Sequence, residues 1–140
     1  RKLAIIFDND IYRDIVKFNE RIVFNNSLEH PTAFGNWLTG FWDGLVGMNE
    51  IVVVGETNAD INILRNIILK EYIPNSVMVC EAQRDYPEDV LEKIHSTPLL
   101  KERDLLAGKS TVYICKDYTC ELPVNNPEDL KNLLKHHKEI

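Results

Sequence analysis

At 140 residues, 44% hydrophobic and 27% charged, the chain is long enough to close one core and has the usage of an ordinary soluble protein. A formal net charge of -6 and a pI near 5.2, with Lys and Arg scattered, argue against a phosphate-neutralising surface, so nucleic acid is not an expected partner. No apolar run approaches the roughly 20 residues that cross a bilayer, and the start "RKLAIIFDND" has too short an apolar stretch for a secretory signal. A cytoplasmic protein without membrane contact is expected, and the lack of Met at position 1 suggests a piece of a longer chain.

Helical periods come first. Ile11, Ile15, Phe18 and Ile22 recur at steps of four, three and four, which predicts a helix from about Asp10 to Asn26 with one apolar stripe. Pro31 suits the first turn of a second helix, in which Phe34, Leu38, Phe41 and Leu45 repeat the steps. With Trp37 and Trp42 beside that stripe, the second helix is expected to be covered on two sides, and Gly44 and Gly47 mark its end.

After Asn49 the pattern changes. "EIVVVGE" reads as a buried strand, "TNADINILRNIILKEY" as a helix capped by Thr57, Asn58 or Asp60 with Ile61, Leu64, Ile68 and Tyr72 inward, and "SVMVCE" as a second strand. Strand, helix and strand in about 30 residues make a βαβ unit, which predicts parallel pairing. A helix over Pro87 to His95 follows, then a loop from Thr97 to Lys109. "STVYIC" and "CELPV" form two strands around "KDYT", with Pro123 placing the second at an edge. "NNPEDLKNLLKHHKEI" closes as a helix with Asn126 as cap and Pro127 at its first position, and Lys135, His136, His137 and Lys138 complement its negative end. The fold class is therefore α/β: an N-terminal helical hairpin over residues 1–48, then a small βαβ-ββα sheet over residues 49–140 with the element order of thioredoxin-like folds, among others.

Few residues point to chemistry. "VVVGETNAD" places a Gly between strand and helix, where phosphate loops sit, but lacks the spaced glycines of a dinucleotide fingerprint and the Lys-Ser/Thr of a P-loop. A thioredoxin-like fold carries its Cys-x-x-Cys at that helix start, and no cysteine is there. His30, His95, His136 and His137 each sit at a turn or helix end, and no two have the i, i+4 spacing that aims imidazoles at one metal; neither a metal nor a cofactor is expected. Trp37 and Trp42, with His30, are candidates to line a sugar cavity, against the plainer reading of aromatics at helical spacing as core.

Cys115 and Cys120 flank a short turn, so they face each other as a cross-strand pair with Cα atoms about 4.5 or 5.5 Å apart, inside the range a disulfide tolerates. In a reducing cytosol two thiols are expected, a pair that supports the hairpin. A redox or metal module built on Cys115 and Cys120 is the functional alternative; Cys80, on another strand, is not an obvious third ligand.

The phrases "EIVVVGE", "EYIPNSVMV", "PLL", "TVYICKDYTCELPV" and "NPEDLKNLL" stand in the order and rough spacing of the extreme C-terminus of the YyaL-like, spermatogenesis-associated thioredoxin-domain-containing family, which the chain resembles over most of residues 50 to 134. The resemblance implies a parent with an N-terminal thioredoxin-like domain and a six-hairpin, glycosidase-like α/α toroid akin to sugar epimerases, of which residues 1–48 would be the last helices. It carries over no catalytic residue. On this reading the chain is a non-catalytic structural or interaction segment, inactive alone, whose partners are the rest of its parent and further copies of itself. The alternative makes it part of a carbohydrate-active site completed by the missing toroid.

Overall fold

The Val-rich run is the centre of the molecule. In the computed structural model, which describes residues 1–117 and 119–137, it forms β1 (Asn49–Gly55), buried on both faces except at Glu50. β2 (Ser76–Ala82) lies parallel on one side of it, while β3 (Thr111–Lys116) lies antiparallel on the other and pairs with the two-residue β4 (Thr119–Cys120). The sheet order is β2-β1-β3-β4, so β4 is an edge, as Pro123 leads one to expect. Beyond Cys120 the "CELPV" segment meets β3 through the Glu121 N–H bond to Ile114 O and the bridge of Val112 with Val124.

Alternation along β1 divides the core. Ile51 and Val53 face α4 (Asn58–Lys70) and α6 (Pro127–His136), where Ile61, Leu64, Ile68, Leu130 and Leu134 close over Val112 and Ile114. Val52 and Val54 face the other way, onto Met48, Val77, Leu99 and Leu100. That second layer is completed by Ile5 and Ile6 of α1 (Lys2–Ile6) and Ile94 of α5 (Glu88–His95).

The helix ends follow the sequence. Thr57 and Asp60 form a capping box at the start of α4, each side chain bonding the other's backbone N–H. The Asn126 side chain accepts from the Asp129 N–H at the start of α6, with Pro127 at the first position. At the far end of α6, His137 Nδ1 lies 3.1 Å from Asn49 Oδ1 and ties the helix to the start of β1. The expected parts of Tyr118, the His136 side chain and Lys138 lie outside the described residues.

Four expectations are corrected. The first helix predicted from Asp10 is preceded by α1, and it runs as α2 (Asp10–Glu29) with Asn9 as its cap. The next helix, α3 (Gly35–Val46), begins four residues past Pro31 because residues 31–34 turn instead. It is not covered on two sides: it packs edge-on through Phe41 against Phe24 of α2, and none of its residues is buried. Tyr72 is exposed, because α4 stops at Lys70 and the chain leaves its helical face there.

Candidate functional site

β1 starts and β3 ends beside α1, and the second face of the sheet opens there into a crevice of about 450 Å³. The sequence turns polar at this point: Glu50 follows the first residue of β1, and Asp117 follows the last of β3. Asp8, Arg13 and Lys17 line it from α2 and the turn before it, Asp43 from α3, and Arg103 from the loop before β3. Four carboxylates therefore share one crevice with the cations Arg1, Arg13, Lys17 and Arg103.

Local geometry holds several of these groups. Arg13 donates to Asp10 Oδ1 at 2.7 Å and pairs with Asp8, and these bonds, Asp8 first, hold its pKa above the ordinary arginine value. Gly47 has φ +77, a backbone conformation that favours glycine, and a Cβ there would also press on the Asp117 carboxylate at 2.7 Å. Desolvation pushes the Glu50 carboxyl above the usual carboxylate range, Arg103 opposes that rise, and Asp117 and Asp8 add to it. Such a carboxyl retains its proton to higher pH than a solvated one.

Arg103 is the best-anchored member. Its guanidinium lies 5.1 Å from the Tyr113 ring centroid, and the Tyr113 hydroxyl donates to the Asp104 carbonyl at 2.7 Å while accepting from the Asp104 N–H at 3.2 Å. From this position Nη2 donates to Cys115 Sγ at 3.3 Å and to Cys120 Sγ at 3.4 Å.

Those two sulfurs are joined, with S–S 2.10 Å, which corrects the expectation of two thiols. The register explains how they meet. Cys115 lies opposite Cys120, and Glu121 N–H bonds to Ile114 O at 2.9 Å, so the cysteines form the adjacent non-hydrogen-bonded pair, the closer kind. Their Cα atoms are 3.9 Å apart, nearer than either spacing the sequence suggests. Across the sheet Cys115 is also the register partner of Glu50, so the bridge, Arg103 and this half-buried carboxyl are neighbours.

His30, Trp37 and Trp42 do not meet there. All three are exposed and none lines the crevice. The possible phosphate turn is filled by the protein's own acids: besides the Thr57–Asp60 box, Asp85 Oδ2 accepts from the Asn58 backbone N–H at 2.7 Å and its side-chain amide at 2.6 Å. Among the described residues no group of three His, Cys, Asp or Glu is placed to hold a metal, and no helix is long and apolar enough to cross a membrane.

Sequence reasoning missed two features. The crevice acids come from four separate segments, and only the pairing of β1 with β3 brings Glu50 and Arg103 together. Glu81, at the end of β2, is buried with its Oε1 2.5 Å from His95 Nε2, and its Oε2 has no hydrogen-bond partner among the described residues. The one available signal was a glutamate on the inward side of a buried strand.

Comparison with known proteins gives a partial likeness. No family model matches the chain, and no solved structure matches it. Spermatogenesis-associated protein 20 of Homo sapiens is 31% identical over 88 residues, which are 62% of this chain and 11% of that protein. The protein of the same name from Rattus norvegicus gives the same figures. The matched segment thus spans 11% of the length of the curated relatives, and the chain is similar to spermatogenesis-associated protein 20 over that segment.

Proposed function

We propose that this chain is a non-catalytic α/β segment that serves structure or partner contact within a longer protein of the spermatogenesis-associated thioredoxin-domain-containing kind. Residues 49–140 make the α/β subdomain, and residues 1–48 are the last helices of a glycosidase-like α/α toroid. The parent is cytoplasmic; the alternative reading makes this segment part of a carbohydrate-directed site completed by the rest of that parent. The observation that supports a contact role is the contrast between the two parts. The sheet layers are closed by buried Ile, Leu and Val, whereas Ile11, Ile15, Phe18 and Ile22 on α2 leave an apolar stripe exposed, and Trp37, Trp42 and Leu45 on α3 are exposed as well. A helix stripe of this kind gains free energy only when another surface covers it.

The test is co-expression of residues 1–140 with the upstream part of a full-length parent, supplied as a separate chain. Stable co-purification that is lost in a Phe18→Asp, Ile22→Asp variant is expected. A chain that stays monomeric and unbound, with the same stripe open to solvent in the full-length protein, overturns the reading.

A further inference from the structure

We propose that the Cys115–Cys120 bridge is a redox site that exchanges with small thiols or dithiols, with Arg103 stabilising the thiolate released when it opens. This goes beyond the contact role above and rests on different residues. Four features support it. The bridge lies on the edge strand, and Cys120 is exposed while Cys115 is buried, so an incoming thiolate has access to one sulfur and not to the other. Arg103 Nη2 sits within 3.4 Å of both sulfurs, where a cation favours thiolate over thiol. Tyr113 holds the guanidinium by its ring and the adjoining backbone by its hydroxyl, so the cation is in place before the bond breaks. With a sequence separation of only 5, the bridge closes too small a loop to restrain the unfolded chain as a long-range link does. Its presence is thus poorly explained as a staple.

The step balances. A donor thiolate attacks Cys120 Sγ in line with the bridge, a new S–S bond forms to Cys120, the Cys115–Cys120 bond breaks, and its electron pair leaves on Cys115 Sγ beside Arg103. A second donor thiolate attacks the donor's sulfur in the mixed disulfide and releases Cys120. The bridge gains two electrons and two protons, and two donor thiols become one disulfide. The same path in reverse closes it. In a reducing compartment a disulfide is more often transient, catalytic or sensing than structural.

The experiment uses the full 140-residue chain carrying Cys80→Ser, so that only the pair reacts, with reduced and oxidised glutathione and dithiothreitol as probes and alkylation followed by mass measurement as the readout. We expect no alkylation before reductant is added and two alkylated cysteines after millimolar glutathione, with the fold retained. Arg103→Met should slow opening about tenfold, because without the cation the Cys115 thiol has a higher pKa and is a poorer leaving group, and Arg103→Lys should recover most of that rate. If Arg103→Met does not fold, the single-cysteine chains decide. Cys115→Ser, which leaves Cys120, should form a mixed disulfide with oxidised glutathione at least tenfold faster than Cys120→Ser, which leaves Cys115. Opening only after the chain is unfolded in urea, a wild-type rate in folded Arg103→Met, or equal adduct rates for the two single-cysteine chains would overturn the proposal.

Discussion

Leu134→Ala and Phe18→Ala form a matched test of which apolar surface is already in use. Leu134 is 0% exposed, packed on α6 with Leu130 above Ile51, Val53 and Ile114, whereas Phe18 is 65% exposed on α2. Truncating a fully enclosed leucine removes its transfer free energy and leaves a void that a β-sheet floor cannot collapse to fill, a loss of about 3 kcal/mol. For a chain of this size that lowers the thermal midpoint by about 10 °C. Truncating Phe18 removes little that is buried in this chain, so its unfolding free energy should change by no more than about 0.5 kcal/mol. Its effect belongs to association: a phenylalanine fully covered by a partner contributes about 1.5–3 kcal/mol, so binding of the upstream part of the parent, read by sedimentation, should weaken at least tenfold. Urea unfolding at low protein concentration reads the first quantity and sedimentation the second. A Phe18→Ala chain that loses as much stability as Leu134→Ala would refute the reasoning, because α2 would then be packed rather than waiting for cover.

Three further outcomes follow from the same geometry. Glu50 has its folded pKa raised by burial, so its contribution is fully present below the unfolded value near 4.5 and is lost as pH rises through the folded value; Glu50→Gln should match the wild type in acid and exceed its stability at neutral pH. Unfolding curves at a series of pH values check this, and equal curves for the two chains throughout would contradict it. Thr57→Ala removes the cap of α4 and should cost about 1 kcal/mol, measured by urea unfolding, with Thr57→Ser recovering nearly all of it. The Cys80 thiol is pushed up by desolvation, against the nearby Arg65 charge, so in the native chain it should react with iodoacetamide at neutral pH several times more slowly than a free cysteine.

Much of the α/β part was legible because its signals are local. Val52, Val53 and Val54 between polar residues mark a strand whatever surrounds them, and Thr57 or Asn126 before a periodic run marks a helix start. The order of elements then followed, including parallel β1 and β2. The helices of residues 1–48 were harder. Period alone finds the stripe of Ile11, Ile15, Phe18 and Ile22, but not whether anything covers it; for α3 the inference of cover failed because an apolar composition does not say which faces find a partner, and none of its residues is buried. The crevice was not legible at all. Glu50 and Arg103 are 53 residues apart in number, and a charged residue beside a strand has no local mark that distinguishes solvent from a shared cavity. The cysteine pair shows the middle case: its facing geometry could be read from the turn, while Arg103 beside it could not.

The central position of β1 also sets an order of events during synthesis. Its parallel partner β2 and the crossover α4 follow directly, so the βαβ unit can form while the rest is still being made. The antiparallel partner β3 comes only after α5 and a long loop, and α6 later still. Until α6 has left the ribosome, α4 alone covers that side, and Ile51, Val53, Ile61 and Ile114 lack the part of the lid made by Leu130 and Leu134. A nascent chain stalled before Asn126 therefore presents a half-covered apolar floor to chaperones and to other stalled copies, and pausing codons placed between β3 and α6 should raise aggregation more than the same codons placed between β1 and α4.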